Sequence, residues 1–307
     1  MTDPPASSPA AAEPAPLWAA VVVNFNAGPR LVRCVRSVLA DTSAGEPEVI
    51  VVDNASVDGS VASLRSEVPE VLVLEPGANL GYARGANLGI AATRAEVVAV
   101  LNPDVEIDPG TGAAMLDRFD ADERLGAAGP HIRDEHGATY PSARVNPSVL
   151  DAVGHAVLGP FAPENRFTRR YRQLDADPGR ARDADWVSGA AIWLRRRALD
   201  TVGGWDEGFF LFMEDVDLCS RLRGAGFRVA YEPRAGVVHV EGVSRSAHPY
   251  RSIVAHHRSA LRFASKRWRG RQRLLLGPAA ALLAARAAAL AAREALNRRA
   301  GPAKRDD

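Results

Sequence analysis

Four short apolar runs, each rich in β-branched residues, recur in the first third of the chain. They are AAVVV ending at Val23, EVIVV ending at Val52, VLVL ending at Leu74 and VVAVL ending at Leu101. Continuous apolar runs of this length are typical of strands that are buried on both faces. The pattern therefore predicts four buried strands.

Helical spacing separates these runs. Between the first two, apolar residues recur at Leu31, Cys34, Val35, Val38 and Leu39, and between the next two at Val61, Leu64 and Val68. Strands that alternate with helices predict an α/β fold, with a mainly parallel sheet and covering helices.

The second half of the chain is less regular. DWVSGAAIWLRR is predicted to be extended, RRALDTVGG to be a short helix that ends at Gly203 and Gly204, and EDVDLCSRLRGAG to be a helix that stops at Gly224. FRVAYEP and GVVHVEG are predicted as two further strands.

Polar segments follow all four predicted strands of the first part. They read NFNAG, DNASVDGS, EPGANLGYARGANLG and NPDVEID. In parallel sheets, ligands bind beyond the carboxyl ends of the strands. We therefore expect four loops carrying Asn, Asp and Gly to converge on one edge of the sheet.

Composition adds little to this picture except at the C-terminus. The 307 residues are 47% hydrophobic and 24% charged, with a net charge of +1, as in an ordinary soluble protein. No Asp or Glu occurs from Gly242 to Arg293, which makes that segment locally basic. The two cysteines, Cys34 and Cys219, predict neither a disulfide framework nor a cysteine metal site, so a reducing cytoplasm is expected.

The N-terminal segment MTDPPASSPAAAEPAP is rich in Pro and Ala. It lacks a basic region and a continuous apolar stretch, so neither a signal peptide nor a membrane anchor is predicted. Residues 1–17 are expected to be a disordered tail.

Asp53 ends the second strand, where a carboxylate could accept hydrogen bonds from a nucleotide base or a ribose hydroxyl. An Asx turn with Asn54 explains the same residues equally well. A dinucleotide-binding Rossmann site would need a Gly-rich turn after the first strand, and VVNFNAGPR has no G-x-G. A hydride-transfer enzyme is therefore the least favoured alternative.

Two candidate metal ligands lie far apart in the sequence. Asp104 follows Pro103 after the fourth strand and could bind a hard divalent cation that carries a diphosphate, although a solvated loop carboxylate is the simpler interpretation. His239 lies on a predicted strand, where a lone histidine is more often a core residue than a ligand.

Three carboxylates, Glu214, Asp215 and Asp217, come directly after the apolar run from Phe209 to Met213. The helix dipole by itself explains acidic residues in the first turn of a helix. It does not explain the apolar run, which would form a wall beside them. A carboxylate in such surroundings can be tuned toward a general base.

In their order, these segments resemble family 2 glycosyltransferases with the GT-A fold, from about Trp18 to about Lys266. The resemblance is carried by VVVNFN, VVDNASVDGS, ANLGYARGANLGI, LNPDV, WVSGAAIWLRR, VGGWDEGFFLFMEDVDLCSRLRGAGFRV and VVHVEG. YPSARVNPS, HAVLGPF and YRQ are similar to segments of actinobacterial rhamnosyltransferases that build the linker between peptidoglycan and arabinogalactan.

The resemblance implies an inverting enzyme that transfers rhamnose from dTDP-rhamnose to polyprenyl-diphospho-N-acetylglucosamine. Two alternatives stay open. One is a family 2 enzyme with another donor, such as a UDP-hexose, and the other is an inactive sugar-nucleotide-binding scaffold.

The resemblance also implies roles for individual residues. Asp215 would be the catalytic base, with Glu214 as the close alternative. Asp104 and His239 would hold Mg²⁺ or Mn²⁺, and Asn102 replaces the first Asp of the family's D-x-D motif. Asp53 would bind the nucleobase. The rest of the donor pocket would be lined by Asn24, Asn26, Asn79, Gly81, Asn87 and Asn102, and the acceptor would be contacted by Trp186, Ser188 and Gly189.

Three further parts are expected: a nucleotide-sugar-binding half at 18–105, an acceptor-binding and catalytic half at 106–265, and a basic, Ala-rich helical extension at 266–307. The apolar run of the extension is interrupted by Gly277-Pro278 and Arg286, so we expect it to be too short to span a bilayer.

The extension is instead expected to contact the inner face of the cell membrane through its cations. Packing on the protein itself, or in a homodimer, is the alternative. Nucleic-acid binding is not expected, because Trp268 is the only aromatic residue among these cations.

Overall fold

The computed structural model describes residues 16–146, 151, 154, 158–159, 162, 164–240 and 249–299. The predicted N-terminal tail up to residue 15, most of the HAVLGPF motif and the segment 241–248 lie outside these residues.

Strands and helices alternate through the first part, as predicted. The strands are β1 Trp18–Asn24, β2 Glu48–Asp53, β3 Leu72–Leu74, β4 Val97–Leu101, β5 Val105–Ile107, β6 Leu125–Arg133, β7 Thr139–Tyr140, β8 Ala143–Arg144, β9 Arg182–Asp183, β10 Trp186–Val187, β11 Ala191–Arg195 and β12 Arg228–His239. The helices are α1 Arg30–Ala40, α2 Ser60–Glu67, α3 Tyr82–Ala91, α4 Thr111–Asp120, α5 Arg166–Arg172, α6 Arg196–Val202, α7 Glu214–Gly224, α8 Pro249–Arg267 and α9 Leu276–Arg299.

One large sheet runs through the molecule in the order β3-β2-β1-β4-β11-β6-β12-β5, with β7 beside β6 and β9 beside β12. The four predicted strands β1 to β4 pair in parallel, which confirms the predicted sheet. β11 runs antiparallel between β4 and β6. Both halves of the chain therefore contribute strands to the same sheet.

The core lies on both faces of this sheet. In β1, Ala20 and Val22 enter one apolar cluster, whereas Val21 and Val23 enter the other. Successive side chains of a strand point to opposite faces, so a strand covered on both sides must be apolar at every position. This is why β1, β2 and β4 have unbroken apolar runs. The prediction of burial on both faces is wrong for β3, which lies at the edge of the sheet and has Leu72 46% exposed.

The described parts of FRVAYEP and GVVHVEG contribute to one strand, β12, which runs from Arg228 to His239, so the prediction of two strands is wrong. The register of β12 against β6 shifts between Glu232 and Gly236. Pro233, which cannot donate a ladder hydrogen bond, lies within this irregularity, where a proline is tolerated. His239 is the last residue of the strand.

The C-terminal apolar run is also longer than expected. Gly277 and Pro278 lie in the first turn of α9, where proline does not break a helix, so the helix continues to Arg299. The stretch Gly270–Leu296 is long and apolar enough to cross a membrane by length and composition. The expectation that this run is too short to span a bilayer is therefore wrong.

Candidate active site

A cavity of about 990 Å³ opens beyond the carboxyl ends of the parallel strands. The loops after β1, β2, β3 and β4 all contribute to its lining, as predicted from their polar segments. The apolar segment before α7 and one face of α8 complete the walls. The cavity is therefore built from both halves of the chain and from the first C-terminal helix.

Asp53 lies at the base of the loops after β1 and β2 and is 3% exposed. Its Oδ1 accepts hydrogen bonds from Asn24 Nδ2 (2.7 Å) and Ser56 Oγ (2.6 Å), and its Oδ2 accepts one from the Ser56 N–H (2.9 Å). The Asp53 side chain thus bonds the backbone three residues on, rather than two residues on as in the Asx turn considered from the sequence. Nucleobase binding by Asp53 stays a prediction.

Asn26 connects the same two loops. Its backbone N–H donates to Ser56 Oγ (2.9 Å), and its side-chain Oδ1 accepts from the Val57 N–H (2.8 Å). Asn26 adopts a left-handed conformation with φ 51°, which asparagine tolerates better than most residues. Asn24 and Asn26 therefore fix the shape of the predicted donor loop.

The loop after β3 is held against the segment before α7. The Tyr82 N–H donates to the Phe210 carbonyl (2.8 Å), and a Cβ on Gly81 would lie 2.5 Å from that oxygen. Gly81 also has φ +84°, a conformation that favours glycine. Asn79 Oδ1 accepts from the Gly81 N–H (3.0 Å). Asn79 and Gly81 line the cavity, as predicted.

Asn87 connects α3 to the loop that follows α6. Its Oδ1 accepts from the Trp205 N–H (2.9 Å), and its Nδ2 donates to the Trp205 carbonyl (3.0 Å) and to Glu207 Oε1 (3.2 Å). Asn87 is not among the described residues that line the cavity, and neither are Asn24, Asn26 and Asp53. Both ends of the Asn87 amide hold the loop that precedes the apolar segment, and its part in donor binding stays a prediction.

Asp104 and His239 meet in the cavity, although 135 positions separate them in the sequence. His239 Nε2 lies 3.2 Å from Asp104 Oδ1 and 3.5 Å from Asn102 Nδ2. Asp104 Oδ1 is buried and has no hydrogen-bond partner within the described part of the chain. A buried oxygen beside an imidazole nitrogen is a donor set that fits a divalent cation.

Glu214 and Asp215 begin α7, as predicted, after two residues in strained conformations. Phe212 and Met213 have φ values of 69° and 67°, which non-glycine residues rarely adopt. Strain of this kind is concentrated at functional sites. It turns the chain so that Glu214 is buried (6% exposed) while Asp215 stays partly accessible.

Burial raises the pKa of Glu214, and the neighbouring Asp215 carboxylate raises it further. Burial also raises the pKa of Asp215, although its oxygens accept from the N–H groups of Gly189 (2.9 Å) and Val216 (2.8 Å). Both carboxyl groups therefore hold protons more strongly than exposed ones. Such a shift is what a general base near neutral pH requires.

Of the three predicted acceptor residues, Gly189 packs against Asp215. A Cβ on Gly189 would lie 3.2 Å from Asp215 Cβ, so Gly189 permits the close approach. The Ser188 N–H donates to the Ser142 carbonyl (2.8 Å), and Trp186 is buried. Contact of these residues with an acceptor stays a prediction.

Arg144 is a residue that the sequence did not single out. Its guanidinium carbon lies 4.9 Å from the Trp186 ring centroid and 5.3 Å from that of Tyr140, and its Nη2 donates to Tyr140 Oη (2.7 Å). Burial raises the pKa of Asp215, and the positive charge of Arg144 offsets part of that rise. Arg144 therefore helps to set how strongly Asp215 binds its proton.

We expect Arg144→Met to shift the acidic limb of the pH–rate profile to higher pH. Loss of the positive charge removes a contribution that lowers the pKa of Asp215, so a smaller fraction of the base is ionised at a given acidic pH. The profile of kcat/KM would be measured beside that of Arg144→Lys, which keeps the charge. An unchanged acidic limb in Arg144→Met would contradict this role.

Glu214→Gln is expected to stabilise the fold increasingly as the pH rises. The folded pKa of Glu214 is raised above its unfolded value, so its favourable contribution is complete at low pH and is lost as the pH rises through the folded pKa. Glutamine resembles the protonated form and has no such loss. The difference in melting temperature between variant and wild type should grow from about pH 5 to about pH 9. A constant difference would argue against the raised pKa.

Tyr82 is the second residue that the sequence analysis missed. Its hydroxyl donates to the Gly189 carbonyl (2.6 Å), and its ring packs edge-on against Trp205, 5.8 Å between centroids. Burial, and then the charges of Glu214, Asp215 and Asp104, raise the pKa of Tyr82. The signal in the sequence was an aromatic residue directly after the Gly81 turn, in a loop that was already expected to reach the site.

Comparison with known proteins agrees with the resemblance seen in the sequence. The family model described as glycosyl transferase family 2 matches residues 19–202. A Mycobacterium tuberculosis protein named N-acetylglucosaminyl-diphospho-decaprenol L-rhamnosyltransferase is 41% identical over 261 residues, which cover 81% of this chain and 84% of the relative.

Solved structures share the fold at much lower identity. The mannosyltransferase PcManGT from Pyrobaculum calidifontis, in complex with GDP-Man and Mn²⁺, has a TM-score of 0.54 at 17% identity and covers 95% of this chain and 82% of its own. GalNAc-T7 with UDP, GalNAc and Mn²⁺ has a TM-score of 0.55 at 16% identity and covers 74% of this chain, which spans 44% of that longer protein.

Proposed function

The chain belongs to glycosyl transferase family 2, and from this premise we propose that it transfers L-rhamnose from dTDP-rhamnose to N-acetylglucosaminyl-diphospho-polyprenol. The 41% identity with the mycobacterial L-rhamnosyltransferase, over most of both chains, supports the transfer of L-rhamnose and this acceptor. The dTDP carrier follows from the resemblance stated above. The product would be the disaccharide lipid from which the linker to arabinogalactan is built.

The observation that carries the chemistry is a line of contacts from the cavity to Asp215. The Tyr82 hydroxyl donates to the Gly189 carbonyl (2.6 Å), and the Gly189 N–H donates to Asp215 Oδ2 (2.9 Å). Tyr82 and Asp104 line the same cavity. A donor diphosphate at Asp104 would therefore lie close to a candidate base at Asp215.

Asp104 and His239 would hold the divalent cation, Mg²⁺ or Mn²⁺. The unpartnered Asp104 Oδ1 and the adjacent His239 Nε2 supply two ligands, so most of the coordination shell is left to a diphosphate and water. When bound, the cation would offset the negative charge that develops on the leaving nucleoside diphosphate. Within the described residues, no group of three His, Cys, Asp or Glu side chains suits a metal ion.

Asp215 would accept the proton of the acceptor hydroxyl as that hydroxyl attacks the anomeric carbon. Its raised pKa makes it a stronger base than an exposed aspartate, and the Gly189 N–H holds one of its oxygens in place. Attack from the face opposite the leaving group, in one displacement, inverts the configuration.

We further propose that the enzyme works at the inner face of the cell membrane, through its C-terminal extension. Leu274, Leu282 and Leu296 are exposed in the 270–296 stretch, and cations such as Arg269 and Arg271 precede the long helix. Exposed leucines beside arginines suit a surface of anionic lipid, where the acceptor lies. A homodimer contact through α9 is the alternative.

The test is sugar transfer by the purified full chain from dTDP-rhamnose to a short-chain polyprenyl-diphospho-N-acetylglucosamine, with Mg²⁺ or Mn²⁺ and with EDTA. The disaccharide lipid would be detected by mass spectrometry. Product that disappears with EDTA would support donor, acceptor and metal together. Transfer from a UDP-hexose but not from dTDP-rhamnose would move the function to the alternative donor, and nucleotide binding without any transfer would favour the inactive scaffold.

A further inference from the structure

Helix α8 is fixed firmly to the catalytic domain. Ser259 Oγ donates to the Leu211 carbonyl (2.8 Å), and Arg262 pairs with Asp206 (3.0 Å). Lys266 bridges Asp206 and Asp217. Although burial opposes ionisation, these hydrogen bonds lower the pKa of Asp206 to about 2, so its carboxylate stays charged in any ordinary buffer. The helix is therefore a rigid wall of the cavity.

The face that this helix turns to the cavity carries two arginines without acidic partners. Arg251 and Arg258 both line the cavity, and both are exposed. Neither forms an ion pair with any residue in the described ranges, in contrast to Arg262. They are seven residues apart, about two helical turns or roughly 10 Å, and so lie on the same side of the helix.

Apolar side chains border these two cations. Val254, between them on α8, and Phe210, on the neighbouring segment, also line the cavity and are each 52% exposed. The Asp104–His239 pair contributes to the lining of the same space. One cavity thus contains a candidate metal centre and, separately, a pair of arginines beside an apolar strip.

We propose that Arg251 and Arg258 bind the diphosphate of the acceptor lipid, and that Val254 and Phe210 receive its first isoprenoid units. The inference rests on the proposed function, because that reaction brings two diphosphates into one cavity. The metal centre suits the diphosphate of the donor, which must leave. Arginine suits the acceptor's diphosphate, which is only held, since a guanidinium binds phosphate oxygens in pairs and is always charged.

The direct test is calorimetric binding of farnesyl diphosphate to the full chain whose donor site is saturated with dTDP and Mn²⁺. Wild type would be compared with the double variant Arg251→Gln/Arg258→Gln. The matched control is Arg94→Gln/Arg124→Gln, which removes two exposed arginines that do not line the cavity. We expect the first pair to raise the Kd for farnesyl diphosphate by roughly 10- to 100-fold and the control pair to leave it unchanged.

Three further measurements show which ligand, and which part of it, the two arginines bind. Farnesol, which lacks the diphosphate, should bind the wild type and the double variant equally. The Kd for dTDP should stay within about threefold in the double variant, and the KM for the polyprenyl-diphospho-sugar acceptor should rise with kcat retained. An equal loss of dTDP affinity would assign the arginines to the donor and overturn the proposal.

The proposal would also be overturned by an unchanged Kd for farnesyl diphosphate in the double variant, or by wild type that does not bind this probe. Binding of the probe involves no sugar transfer. In one outcome, the enzyme fails to transfer rhamnose while the double variant still loses its affinity for farnesyl diphosphate. That result would refute the proposed donor and keep the acceptor site.

Discussion

Asp215→Asn is expected to lower the rate of sugar transfer by roughly 10²- to 10⁴-fold, which is the usual contribution of a general base. The amide keeps the size of the carboxylate and can still accept from the Gly189 N–H, but it cannot take a proton from the acceptor. Affinity for the nucleotide should survive, because the loops that follow β1 and β2 are untouched. Single-turnover rates and calorimetric titration with dTDP measure the two quantities separately.

Glu214→Gln tests which of the two neighbouring carboxylates is the catalytic base. We expect its loss of activity to be much the smaller, because Glu214 is buried with a raised pKa and glutamine resembles its protonated state. Asp200→Asn, at an exposed position of α6, serves as the control. A larger loss in Glu214→Gln than in Asp215→Asn would transfer the role of base to Glu214.

Asp104→Asn should produce the second large effect, on metal binding and therefore on rate. Loss of groups that only support a ligand already costs roughly 10- to 100-fold in metal affinity, so loss of a ligand should cost at least as much. Transfer should fall correspondingly at a Mn²⁺ concentration that saturates the wild type, and should recover in part as Mn²⁺ is raised. Titration of activity with Mn²⁺, together with calorimetry of Mn²⁺ binding in the presence of dTDP, measures this.

The control for the metal centre is Asp120→Asn, an exposed carboxylate at the end of α4. It removes the same charge at a position that does not line the cavity. Wild-type Mn²⁺ dependence in Asp104→Asn would exclude Asp104 as a ligand, whereas a parallel shift in both variants would indicate only a general effect of charge.

The parallel part of the fold was predictable because β1, β2 and β4 are buried on both faces. Each position of β1 must then be apolar, and an unbroken apolar run such as AAVVV fits few elements besides a doubly covered strand. The prediction failed at β12, where Pro233 suggests an interruption. Whether a proline ends a strand or lies in a bulge depends on the neighbouring strand, which periodicity along one segment does not reveal.

The site residues that could be predicted from the sequence are those that come directly after a strand. Asp104 and the loop with Asn79 and Gly81 were expected in the cavity for that reason, and they line it. The bonds of Asn87 to Trp205 and Glu207 were not predictable, because the sequence of a helix does not show which loop a polar residue contacts. Arg144 escaped notice since its role depends on Tyr140 and Trp186, which only the folded chain brings around it.

The strained turn before α7 was not predictable from its residues. Phe212 and Met213 have no preference for left-handed backbone, and no glycine marks the position. The conformation is imposed by contacts on both sides, including the hydrogen bond from Tyr82 to Phe210 and that from Ser259 to Leu211. Local propensity was overruled by tertiary structure there.

The ion pairs between Asp206 and helix α8 also determine how far this enzyme can be shortened. The family match ends at residue 202, whereas the cavity continues to be lined by residues up to Arg262. A truncated chain that stops at His239 would retain the sheet but lose an entire side of the substrate space. The smallest fragment suited to inhibitor screening should therefore extend past Arg267. It then retains Arg262 and Lys266, the two cations that pair with Asp206.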